Sequence, residues 1–212
     1  MVIVVDSGDD VQHYAQTFAT RPLPRPASCP GCAAIGRLIG HGSYSRTVVQ
    51  PTQTIPIRIQ RLLCTACHHT LSLLPACCLP FRHYATATIQ TVLTLRTEAQ
   101  VSWSRIGQRF LPADLPTRTT CREWAGAFAH ASTRYLSAVL QHLAHWASRS
   151  SAIEVTLADL GAQRDPPAQL VAAVPHLLAA LREARISVAK GSGRWLATLW
   201  QWGNGRQLGR VV

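Results

Sequence analysis

The sequence predicts an α+β protein, β-rich over its first eighty or so residues and all-α beyond them. Three observations carry this. Two matched cysteine pairs, Cys29/Cys32 in CPGC and Cys64/Cys67 in CTAC, bracket 31 residues. Between them, GRLIGHGSYSRTVV and TIPIRIQRLLC alternate apolar and polar residues around a QPTQ turn, which is the signal of a hairpin. From residue 84 onward the apolar spacing changes to that of helices.

In chain order, residues 2–5 read as a strand and 9–19 as a short helix, and TRPLPRP leads into the first cysteine pair. The alternation in IPIRIQRLL sets Ile55, Ile57 and Ile59 on one face and Arg58 on the other. Basic residues on the polar strand faces, Arg46, Arg58 and Arg61, are expected to form a positive surface. TLSLLPACCLPFRHY reads as a connector whose prolines prevent helix. Helices are expected over 84–99, over 102–110 with Ser102 as N-cap, and over 117–147 with Thr117 or Thr119 as N-cap. LPADLP at 111–116 is a turn between the last two. The long helix carries an apolar stripe of Trp124, Phe128, Leu136, Val139, Leu140 and Leu143. A polar stretch over 148–166 precedes a helix over 167–185, and KGSG at 190–193 lacks the phosphate-loop pattern. In the tail, Trp195, Leu199 and Trp202 share a helical face, which suits either core packing or a docking partner. The expected division is residues 1–80, 81–150 and 151–212, the last an assembly segment that would support a homo-oligomer.

Composition bounds the function. With 212 residues, 47% of them hydrophobic, the chain can bury a real core and is not a disordered polymer. Charge is scarce at 15% but lopsided, 21 basic residues against 10 acidic, giving +11. That balance suits a polyanion such as nucleic acid. All the basic residues but Lys190 are arginine. A GC-rich genome accounts for the choice of Arg over Lys, although not for the net charge. No apolar run approaches the ~18 residues of a membrane span, and MVIVVDSGDD lacks the basic start of a signal peptide. The expected location is therefore the cytoplasm, with no membrane partner, where the seven cysteines are not expected to form disulfides.

A two-residue spacer lets two thiolates bind one ion while knuckle N–H groups point at the sulfurs. Two such knuckles supply four soft donors in tetrahedral geometry, the preference of structural Zn2+. A hairpin flanked by two knuckles is a zinc ribbon, so Cys29, Cys32, Cys64 and Cys67 are the expected ligands of one zinc. A thioredoxin-like pair needs a βαβ setting, and the common ferredoxin spacings differ. Four Cys leave no open position for catalysis, so the ion is expected to be structural. His68 and His69 read as solvated or phosphate-facing, Cys77 and Cys78 as buried inert thiols, and Cys121 as a small apolar helix residue. The helices after residue 84 have the shape of a helix-turn-helix. In that reading Arg118 and Arg122 face DNA at the start of the last helix, and Arg105 and Arg109 contact phosphate; plain packing of a three-helix core is the competing account.

These residues carry a resemblance. SCPGC, GHGSYSRTVV, IPIRIQRLLCTACHHTLSLLP and PFRHYA, followed by TTCREWAGAF, are similar to a bacterial, mobile-element-associated zinc-ribbon family of undefined function. They also resemble the N-terminal zinc-ribbon and helix-turn-helix part of insertion-sequence transposases. The likeness spans about residues 25–130 and implies the same four cysteine ligands. Neither clustered carboxylates for metal-dependent strand transfer, nor an H-x-x-R recombinase pattern, nor G-x-S-x-G occurs, so no enzyme is expected. The expectation is a zinc-containing protein that binds double-stranded DNA as a regulator or accessory factor of a mobile element, working with a transposase or recombinase. The alternatives are an adaptor using the ribbon and the Trp-rich tail, or an RNA-binding ribbon.

Overall fold

The computed structural model describes residues 1–7, 10–111, 116–148, 165–184, 194–208 and 210–212. The KGSG stretch, most of the polar stretch over 148–166 and most of the 111–116 turn lie outside these residues. Two compact units form, Met1–Ala87 with Ala189–Ala197, and Thr88–Val188 with Thr198–Val212.

The first unit holds four strands, β1 (Val2–Val5), β2 (Leu38–Val49), β3 (Thr54–Cys64) and β4 (Thr70–Pro75), and the short helix α1 (Val11–Thr17). The expected hairpin is present: β2 and β3 pair antiparallel from Val49↔Thr54 to Leu38↔Cys64. The turn closes where the Gln50 N–H donates to the Gln53 carbonyl at 2.8 Å. An irregularity between Gly40 and Ser43 breaks the ladder, and Gly42 there takes φ +74°, a conformation that glycine adopts without steric penalty.

The sheet is larger than a hairpin. Its order is β1-β4-β3-β2, with β1 parallel to β4 and β4 antiparallel to β3. TLSLLP, expected as a connector, is therefore a strand. Its prolines exclude helix but not strand, and Pro75 comes last, where a missing N–H interrupts nothing. Leu71, Leu73, Leu74 and Pro75 are all buried, so the run lacks the alternation of a half-exposed strand.

Burial in β3 changes faces along its length. Near the turn Ile57 and Ile59 are buried; near the knuckle it is Leu62 and Cys64, on the opposite face. In α1 the Asp10 side chain accepts from the His13 N–H at 2.8 Å, and the buried Tyr14 donates its hydroxyl to the Arg58 carbonyl at 2.9 Å.

The second unit is helical. Helices α2 (Thr86–Thr97), α3 (Trp103–Gln108), α4 (Arg118–Ala147), α5 (Pro166–Glu183) and α6 (Arg194–Asn204) follow in order, α2 and α6 each having one end in the first unit. Ser102 caps α3, and of the two candidate caps for α4 it is Thr117 that accepts from the Thr120 N–H. Cys121, Trp124, Phe128, Ala131, Ser132, Tyr135, Leu136, Val139 and Leu143 form one buried stripe along α4, the 3.6-residue periodicity of an amphipathic helix. Helices α4 and α5 run parallel: Asp165 and Pro167 lie beside Arg122–Ala129, and the Trp146 indole N–H donates to the Glu183 carboxylate at 3.0 Å. In α6 and its sequel, Leu199, Trp200 and Trp202 are buried, with Trp202 edge-on to His142 at 5.8 Å, so these side chains belong to the core. Among the described residues no helix is long and apolar enough to cross a membrane.

Gly203 sits where nothing larger fits. A Cβ there would overlap the ring and hydroxyl of the fully buried Tyr135. Gly203→Ala is expected to destabilise the protein by ~1–3 kcal/mol through overpacking, read as a lower midpoint in urea with unchanged m-value.

Candidate metal centre and basic surfaces

Each knuckle is built by the same backbone pattern. In the first, the Ala33 N–H donates to the Cys29 carbonyl at 2.7 Å and the Cys29 N–H to the Ala34 carbonyl at 2.9 Å. In the second, His68 N–H donates to Cys64 carbonyl at 2.9 Å and Cys64 N–H to His69 carbonyl at 3.0 Å. Both turns need a left-handed residue directly after the second cysteine, supplied by Ala33 and His68, each at φ 58°. Exposed His68 is thus a turn residue; His69 is exposed too.

The turns bring four sulfurs together. Those of Cys29, Cys32, Cys64 and Cys67 all lie within 4.8 Å of one another. Cys29 Sγ is 3.8 Å from Cys67 Sγ, and Cys32 Sγ is 3.7 Å from Cys64 Sγ. A disulfide requires ~2.05 Å, so these are free thiols. A regular tetrahedron of sulfurs ~2.3 Å from a central ion has edges of about 3.8 Å, so the donor set fits a four-coordinate metal. Backbone N–H groups also face the sulfurs, Gly31 at 3.4 Å from Cys29 Sγ among them. The Cys64 thiol is held down to about 6, chiefly by the Cys67 backbone N–H with Ala66 adding, against the opposing effect of burial. At Cys32 the Ala34 N–H lowers the pKa, but the crowding thiols, Cys67 first, and burial push it up to about 12. One thiolate thus ionises readily and makes the next harder to ionise, a conflict that a cation removes.

The other cysteines take no part. Cys77 and Cys78 are buried, and Cys77 is pushed well above its usual range by the Cys78 side chain and by burial. Cys121 is buried in α4, its thiol raised to about 11 by burial.

The basic residues divide by what holds them. Arg46 is half-buried and donates to the Leu79 and Arg82 carbonyls, so its guanidinium ties the 79–82 segment to β2. Arg61 is half-buried and donates to the Thr70 hydroxyl at 3.3 Å. Arg58 is exposed, donates to the Ser43 hydroxyl at 2.8 Å and lies 5.9 Å from the Phe18 ring centre. In the helical unit Arg105, Arg109, Arg118 and Arg122 are exposed, with Arg122 beside the Trp103 indole. Sequence reasoning passed over Arg96, which lies against the same indole; two arginines and a tryptophan spread over three helices give no motif. It also passed over a plain signal: residues 11 to 97 hold eight arginines and not one Asp or Glu.

The class these features define is a mixed α/β protein with a four-stranded sheet, a helical unit and a four-cysteine cluster able to hold a metal ion. Residues 29–108 match the profile of a family described as a domain of unknown function, DUF6431. The matched span opens on the first knuckle cysteine and ends with α3. No curated protein and no solved structure matches the chain.

Cys64→Ser is expected to abolish stoichiometric metal binding and to lower the melting temperature, because metal binding at such a centre is coupled to folding. Cys78→Ser should keep the metal. Elemental analysis after dialysis against a weak chelator separates the two outcomes.

Proposed function

We propose that the four cysteines hold one structural zinc ion in a zinc-ribbon arrangement, and that the protein binds double-stranded DNA without catalysing a reaction. The observation that carries this reading is the acid-free, arginine-bearing stretch over 11–97 that surrounds the four-sulfur cluster. With no carboxylate in that stretch to neutralise them, its guanidiniums attract a polyanion at long range and bind its phosphates at contact. A closed set of four thiolates suits zinc as a fold element that fixes both knuckles, not as a Lewis acid.

Within this reading Arg58 in the ribbon, Arg105 on α3, Arg109 at its C-terminal end and Arg118 on α4 are the contacts, since all are exposed. Arg46 and Arg61 hold the ribbon in shape. Arg118 lies in the first turn of α4 after the Thr117 cap, which supports its reading as a residue at the start of a recognition helix. The resemblance to the zinc-ribbon and helix-turn-helix part of insertion-sequence transposases supports a role as regulator or accessory factor of a mobile element, in company with a transposase or recombinase.

Selection of bound duplexes from a random pool, with zinc measured on the same sample, tests the proposal. Affinity is expected to fall steeply with salt, log K changing by ~0.9 per phosphate contact for each unit of log[salt]. Arg118→Ala should weaken binding by ~1–3 kcal/mol and relax preference at one base position. Salt-independent binding, or no enrichment of any sequence together with no retention of duplex, would refute the DNA reading.

A further inference from the structure

The helical unit contains a cleft of about 490 Å³ between the end of α2, the start of α3, the first half of α4 and the start of α5. The half-buried Trp103 is among the residues that line it. Two guanidiniums converge on that ring, Arg96 at 5.2 Å and Arg122 at 5.9 Å from its centre. Each gains from the electron-rich face, but bringing two like charges to one ring works against both. Among the described residues neither guanidinium has an ion pair or a hydrogen bond to compensate. Asp165 lines the same cleft, yet it forms no salt bridge with either.

Two further features point the same way. Gly126 forms part of the wall, inside the long helix α4. Glycine is the poorest helix former after proline, and nothing in the fold requires it here, because a Cβ at 126 would meet no atom within 4 Å. A bare backbone on a cleft wall leaves room for a ligand to come close. The rim also holds the N-terminus of α5, the positive end of an 18-residue helix, where Asp165 makes no side-chain capping bond.

We infer that this cleft is a phosphate site: Arg96 and Arg122 close on one phosphate group above Trp103, and the remainder of a nucleotide-sized ligand lies along Gly126. Paired guanidiniums match phosphate oxygens in geometry and charge. The cleft volume falls within the range of sites for ligands of that size. Arg122, expected from sequence to read bases, is assigned here to phosphate, with Arg96 as its partner. The carrier of the phosphate is a nucleic-acid strand or a free nucleotide, and only the first of these rests on the DNA-binding reading.

The test uses the full-length, metal-loaded protein with three probes: a short duplex, one of its strands alone, and a 5′-mononucleotide. Binding is measured by calorimetry and by tryptophan emission. The Arg96→Gln/Arg122→Gln double variant is expected to lose about tenfold or more in affinity for at least one probe. Gly126→Leu, whose Cβ meets no atom within 4 Å and whose side chain would narrow the cleft, should lose affinity for the same probe while keeping its metal and its helical circular dichroism. Trp103→Phe should keep most of the affinity but lose the emission change. If only the mononucleotide binds and the double variant loses it, the phosphate site stands and the DNA reading falls. If duplex binds and neither the double variant nor Gly126→Leu changes the affinity for any probe, the phosphate site falls and the DNA reading stands. Failure of the wild-type protein to bind all three overturns both.

Discussion

The convergence of four cysteine sulfurs at the open end of the β2–β3 hairpin is the constraint on which the first unit depends. The two knuckles are far apart in sequence, and the hairpin between them returns the chain to its starting point. Cys29 and Cys64 are buried, whereas Cys32 is exposed and Cys67 half-buried, so apolar cover reaches only part of the cluster. Four thiols this close cannot all ionise without a cation between them. The same crowding that makes the metal-free cluster unfavourable makes it a good ligand set, because each deprotonation is compensated by the ion. Sheet pairing then propagates from the centre outward: β3 leaves Cys64 for the turn in one direction, and β4 begins shortly after Cys67 in the other.

How much of this could be read beforehand depends on how local the cause was. The ligand set was legible because the C-x-x-C spacing encodes a turn and its donors in four residues. The hairpin was legible because its sequence alternates apolar and polar residues on both sides of the QPTQ turn, although the buried face of β3 switches between Ile59 and Leu62. The helix caps at Ser102 and Thr117 were legible because a cap is a contact across three residues. β4 was not, since its alternation lasts only from Thr70 to Leu73 before Leu74 and Pro75 are both buried. The tail tryptophans were ambiguous for a related reason: an apolar helical face looks the same whether its cover comes from its own chain or another. The burial of Trp200 and Trp202 decides that for those side chains.

Electrostatics were legible in sum and not in detail. A net charge of +11 points to a polyanion without saying which arginines remain available. Arg46 shows the difference. It lies on a strand face that alternation marks as polar, yet its guanidinium satisfies two carbonyls of the chain beyond β4. Buried carbonyls outside regular structure must find donors, and an arginine fork supplies several at once. The pairing of Arg96 with Arg122 across Trp103 escaped notice for the opposite reason: it is long-range, formed by three helices meeting.

The shared backbone pattern of the two knuckles bears on how this chain can evolve. Pro30-Gly31 in one and Thr65-Ala66 in the other form equivalent turns from unrelated residues. What both turns demand is the pair of cysteines and a residue tolerant of the left-handed region at positions 33 and 68. Drift at those two positions is thereby channelled toward glycine and asparagine and away from β-branched side chains. The residues between the cysteines are released from that demand. A lineage could rewrite both knuckle tips, and with them whatever surface the cysteine cluster presents, without touching the framework that brings the four sulfurs together.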